Sequence, residues 1–173
     1  MDTLDRVRET EYLGRDFLVW LWFKSDTGRI FDLGAAGTTE IWFDGKMTLK
    51  TEDDEAVGSI TCSGGNSHLR EARFALTKGK KVTQAAIRLA LGDDEYSLSL
   101  DSTWMNFGAF KTPKVVQDDD DDPEGLFYEK IGLIEKAVSA IDIIFSSFIK
   151  LRTSEDWKSR ELPALKEWIN KGK

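Results

Sequence analysis

Residues 81–100 read KVTQAAIRLALGDDEYSLSL, and this stretch decides the fold. From Glu95 to Leu100 the side chains of Tyr96, Leu98 and Leu100 alternate with those of Ser97 and Ser99, the period of a strand that buries one face. Lys81 to Leu91 reads as its partner strand, and Gly92-Asp93-Asp94 supplies turn chemistry between the two. The expectation is an antiparallel hairpin, which needs further strands or helices to cover its apolar face.

Towards the N-terminus, strand signals recur at Arg29 to Leu33, Glu40 to Phe43, Lys46 to Lys50 and Ala56 to Cys62. Asp44-Gly45 lies between Ile41-Trp42-Phe43 and Met47-Thr48-Leu49, a pattern that predicts a two-residue hairpin. Glu52 to Glu55 reads as an acidic turn, and Gly64-Gly65-Asn66 closes the meander. Further upstream, residues 11–25 (EYLGRDFLVWLWFKS) place Leu13, Phe17, Trp20, Leu21 and Lys24 on a helical face. Phe17 to Phe23 is also an unbroken apolar run, which a buried strand would show equally. A helix is the preferred reading, punctuated by Gly28.

Between the meander and the hairpin, Ser67 is placed to cap a helix that stops at Gly79. Leu69, Ala72, Ala75 and Leu76 fall on one face of it, and Arg70, Arg73 and Thr77 on the other. Beyond the hairpin, Asp101 to Pro113 carries Trp104, Met105, Phe107 and Phe110 without a period. The self-repelling run Asp118 to Asp122 reads as an exposed linker over residues 118–125.

After it, Phe127, Ile131, Ile134, Val138, Ile141, Phe145 and Phe148 recur in steps of four and three, the strongest helix signal in the chain. A second stripe, Leu133, Ala137, Ala140, Ile144 and Leu151, widens the apolar face. Burial on two sides follows, by packing across the sheet or by pairing with a second copy; packing is favoured. Thr153 or Ser154 with Glu155 and Asp156 opens another turn, and Pro163 restarts a helix bearing Leu165, Trp168 and Ile169. The expected fold is α+β: antiparallel hairpins packed with helices, then a long C-terminal helix and a short helical segment. Residues 1–117 form the domain, and residues 126–173 pack on it.

No apolar run approaches the ~20 residues that cross a bilayer, and the start of the chain is charged rather than signal-like, so a cytoplasmic protein without membrane partners is expected. One cysteine, Cys62, rules out an internal disulfide and a multi-cysteine metal cluster. Its nearest base is the single histidine, His68; a buried thiol and a surface imidazole are the simpler assignment. No phosphate-binding loop with its lysine, dinucleotide fingerprint or hydrolase motif occurs. Ser63-Gly64-Gly65-Asn66 could hold a phosphate on its amides but reads better as a turn, and so do the paired carboxylates Asp93 and Asp94. No enzyme activity, cofactor or metal is therefore expected.

A net charge of −7 argues against a protein coated in nucleic acid, yet Arg70 to Arg88 carries six basic residues against one acid, Glu71. Arg70, Arg73, Lys78, Lys80 and Lys81 are the candidate phosphate contacts, with Lys111 and Lys114 brought alongside by folding. Trp20, Trp22, Trp42 and Trp104 could stack on unpaired bases, but each sits in an apolar run, where core packing is the default.

Three stretches together resemble the recombination-associated RdgC family: Leu13 to Phe23 (LGRDFLVWLWF), Lys78 to Val82 (KGKKV) and Phe148 to Trp157 (FIKLRTSEDW). The resemblance implies a non-enzymatic, nucleoid-associated protein that binds double-stranded DNA with little sequence preference, forms ring-like dimers and restrains the RecA recombinase. The alternative is a protein-interaction module that acts through the heptad-patterned helix without DNA.

Overall fold

The computed structural model describes residues 3–51, 58–64, 66–103, 105–115 and 122–171. Helix α1 (Thr3–Thr27) precedes strands β1 (Ile30–Asp32), β2 (Thr38–Lys50) and β3 (Ile60–Gly64). Helix α2 (Asn66–Thr77) leads into β4 (Lys81–Leu91), β5 (Asp94–Asp101) and β6 (Phe107–Lys111). The chain ends in α3 (Pro123–Arg152), a π-helical turn (Trp157–Glu161) and α4 (Leu162–Asn170). The acidic turn Glu52 to Glu55, Trp104 and all but the last aspartate of the acidic run lie outside the described residues.

The class is α+β, as expected. The sheet is antiparallel in the order β1-β2-β4-β5-β6, and β3 shares with β1 the outer edge of β2. The deciding hairpin forms as read: Leu91 pairs with Asp94 across a two-residue loop whose first residue, Gly92, has φ 62°, and Tyr96, Leu98 and Leu100 are buried.

The Asp44-Gly45 hairpin does not form. Both flanking segments belong to one strand, because β4 pairs with β2 from Ala90 opposite Glu40 to Lys81 opposite Lys50. Phe43 faces Ile87 and Met47 faces Ala85, so four steps along β2 match two along β4, and the excess is a bulge that holds Gly45 at φ 82°. The left-handed glycine that would make a tight turn makes a bulge equally well.

Strand β6 had no sequence signal for the same kind of reason. Ser97 faces Lys111 and Ser99 faces Gly108, so one extra β6 residue is accommodated, with Ala109 at φ 47°. The bulge breaks the alternation by which a strand is recognised.

The apolar run in α1 is explained by its position in the middle layer. One side packs on β2 and β4, where Trp22 meets Phe43. The other side takes the C-terminal helices: Phe17 stacks edge-on against Phe145 at 5.0 Å, Trp20 lies 5.2 Å from Phe148, and Trp22 meets Trp168 at 5.0 Å. Phe17 to Phe23 is buried at every position, as a helix with neighbours all round requires. Gly14 fits the same layer closely: a Cβ there would overlap the backbone carbonyl of Ser102.

Asp122 belongs to α3 rather than to a linker. Its carboxylate accepts the Glu124 N–H at 3.2 Å, and Pro123 fills the first turn, so the helix takes residues 123–125 as well. The buried stripe of α3 is Ala137, Ala140, Ile141, Ile144 and Phe148, largely the second of the two stripes read from sequence. Helix α2 starts one residue before Ser67, which therefore sits in the first turn and not at the cap.

Candidate anion-binding band and cleft

The corner between α2 and β4 is built by a helix-stop motif. Gly79, at φ 81°, donates to the Leu76 carbonyl and Lys80 to the Ala75 carbonyl, the paired bonds of a helix closed by a left-handed glycine. The chain leaves directly into β4, so Lys78, Lys80 and Lys81 are fixed around one turn. Arg70 of α2 and Lys78, just past its end, lie a turn either side of Phe74, whose ring is half exposed and lies 5.3 Å below the Lys78 ammonium. Ile60 of β3, Lys80, Ala75 and the carboxylate Glu71 also line this shallow surface.

Lys80 also borders a second, deeper feature, a cleft of about 400 Å³. Its walls carry Lys80, Lys81, Arg152, Lys158 and Lys166 against one carboxylate, Asp16. Its floor is Val19, Leu76, Trp157, Leu165, Leu162 and Ile169. Asp16 is bonded to Lys81 at 3.1 Å and lies 3.6 Å from Arg152, so one carboxylate ties α1, β4 and α3 together. The Arg152 guanidinium stacks over the Trp157 ring at 4.9 Å, and its Nε is buried without an acceptor among the described residues.

Of the residues expected to contact phosphate, Arg70, Lys78, Lys80 and Lys81 come together here. Arg73 does not join them. It pairs with Asp26 at 2.7 Å and lies 4.5 Å over the Trp168 ring, while the Trp168 indole donates to the same Asp26 oxygen. It is a partly buried clamp between α1, α2 and α4 rather than an exposed contact. Lys111 is on β6, across β4 and β5 from the edge that carries β3 and α2, and faces Arg88 through Ser97. The sheet therefore separates it from the band; Lys114 follows it in the exposed segment after β6.

Sequence reasoning missed Arg152, Lys158 and Lys166. They stand among Glu155, Asp156, Glu161 and Glu167, so no local excess of charge marks them; only the π-turn and α4 packing beside α1 put them opposite Lys80.

The other candidates find structural roles. Burial, then the charge of Glu71, push the Cys62 thiol above its ordinary value, which disfavours a thiolate, and the His68 side chain lies outside the described residues. Asp94 binds Lys136 of α3 at 2.6 Å. Gly64 pairs with Gly45 in the sheet. Trp20 and Trp22 are core, and Trp42 lies under Arg88 at 5.9 Å. Among the described residues no three metal-ligating side chains gather, and no helix is long and apolar enough to cross a membrane. Comparison with protein-family models and with curated protein sequences finds no match for the chain.

Proposed function

We propose that the protein is a non-enzymatic nucleic-acid-binding accessory factor of recombination or replication, holding duplex DNA by its phosphates without reading sequence. The observation that carries this reading is the band from Arg70 through Lys78 and Lys80 to Lys158 and Lys166, a concentration of cations on a chain of net charge −7. Lysine and arginine recognise phosphate charge, not base identity, so such binding is nonspecific and strongly salt-dependent. The resemblance to the RdgC family adds restraint of a recombinase and a homodimer. Its three stretches supply Asp16 and Val19, Lys80 and Lys81, and Arg152 and Trp157, all of which line the one cleft.

The test is a titration of random-sequence duplex DNA at several salt concentrations. The wild type binds with a slope near −0.9 in log K per log salt for each phosphate contacted, and Arg70→Glu with Lys78→Glu lowers both affinity and slope. Absence of binding at low salt, or unchanged affinity in the double variant, rejects the reading.

A second reading has its own observation. The N-terminal half of α3 leaves Phe127 and Ile134, on the stripe that carries the heptad pattern, and the neighbouring Tyr128 exposed at 60%, 38% and 61%. Apolar side chains grouped in this way mark a protein interface. A concentration-dependent dimer that is lost on Phe127→Glu, in a protein that does not retard DNA, supports the interaction module instead.

A further inference from the structure

We infer that the cleft between α2, α3 and α4 is a binding site for a small amphipathic anion, an apolar chain ending in a carboxylate or phosphate. This goes beyond the proposed nucleic-acid function, because a phosphate backbone uses the cations and leaves the floor unused.

Three observations point to such a ligand. The volume, about 400 Å³, is large enough for a small molecule. The floor is apolar and continuous with the core through Val19, Leu76, Trp157 and Leu165, each buried, and Leu162 and Ile169 line it half-buried. Five cationic side chains line the cleft against one carboxylate; Asp16 takes Lys81 and Arg152, and the Gly58 carbonyl accepts from the Lys80 ammonium, which leaves Lys158 and Lys166 for a ligand. Lys158 and Lys166 are exposed and make no ion pair among the described residues.

The chemistry divides between the two parts. The chain displaces water from the floor, and a longer chain binds more tightly until the cleft is filled, by about fourfold per methylene buried. The head meets the ammonium groups of Lys158 and Lys166. An uncharged head forfeits these contacts, and a head without a chain forfeits the floor.

The decisive experiment is calorimetric titration of the full chain with decanoate, decanol and inorganic phosphate, together with the octanoate-to-decanoate series. Decanoate binds at one saturable site at least tenfold more tightly than decanol or phosphate, and more tightly than octanoate. Lys158→Glu with Lys166→Glu weakens decanoate at least tenfold, whereas Arg70→Glu with Lys78→Glu, outside the cleft, leaves it unchanged. The inference is overturned by equal binding of decanol, by no effect of the Lys158 and Lys166 changes, or by association with phosphatidylglycerol vesicles without a saturable site for free decanoate. Arg70→Glu with Lys78→Glu tests the nucleic-acid reading without touching the cleft, and decanoate titration tests the cleft without DNA, so either conclusion can fail without the other.

Discussion

The indole N–H of Trp20 donates to Glu161 at 2.9 Å, joining positions 141 residues apart inside the protein. Lys24 approaches the same oxygen at 2.9 Å, so a nearly buried carboxylate holds α1 against the π-turn. Glu161→Ala strands a buried indole donor and should cost ~1–3 kcal/mol, while Glu161→Gln keeps an acceptor and costs less. Urea unfolding of the two variants measures the difference; equal stability would show that this hydrogen bond contributes nothing.

Gly14→Ala gives the sharpest packing test. In an exposed helix this change stabilises by roughly 1 kcal/mol, but here the new methyl meets the Ser102 carbonyl. The expected sign is reversed, with a loss of ~1–3 kcal/mol and a lower Tm. A rise in Tm would refute the close approach of α1 to the segment after β5.

Arg70 and Arg73 look equivalent in the sequence but should separate in experiment. Arg73→Ala loses its pair with Asp26 and its stacking on Trp168, so it lowers stability and, on the proposed nucleic-acid function, leaves the salt slope of DNA binding alone. Arg70→Ala does the opposite, lowering the slope by about 1 with stability unchanged. A shared loss of DNA affinity would return Arg73 to the contact surface.

Alkaline pH tests the deciding hairpin. Burial, then the neighbouring charge of Asp94, raise the Tyr96 hydroxyl above its usual range, and Asp94 raises the Lys136 ammonium through their hydrogen bond. Both groups favour their protonated forms in the folded state. Their contribution is therefore complete below about pH 10 and is lost as the pH rises through the folded values. Tyr96→Phe removes this buried hydroxyl, so it should flatten the fall in stability above about pH 10. An unchanged alkaline profile would remove Tyr96 from this account.

How much could be read from the chain alone differs from element to element. The hairpin and α3 were legible because their periods are unbroken. β2 and β6 were not, since bulges at Gly45 and Ala109 imitate a turn or erase the alternation. Half of the basic band was visible as a local run around Lys78-Gly79-Lys80-Lys81. Lys158 and Lys166 were hidden by neighbouring acids, and a helical wheel does not show that Asp26 and Trp168 engage Arg73.

The central position of α1 bears on how the chain folds. A helix whose Phe17–Phe23 segment has no solvent face gains little by forming alone, since its partners come from β2 and β4 on one side and from residues 145–168 on the other. Formation of this layer must wait for closure of loops that span most of the chain, which slows folding and leaves no half that is stable by itself. Separating residues 1–117 from the C-terminal helices would leave Phe17, Trp20 and Trp22 facing water, and both fragments would be prone to aggregate until they recombined.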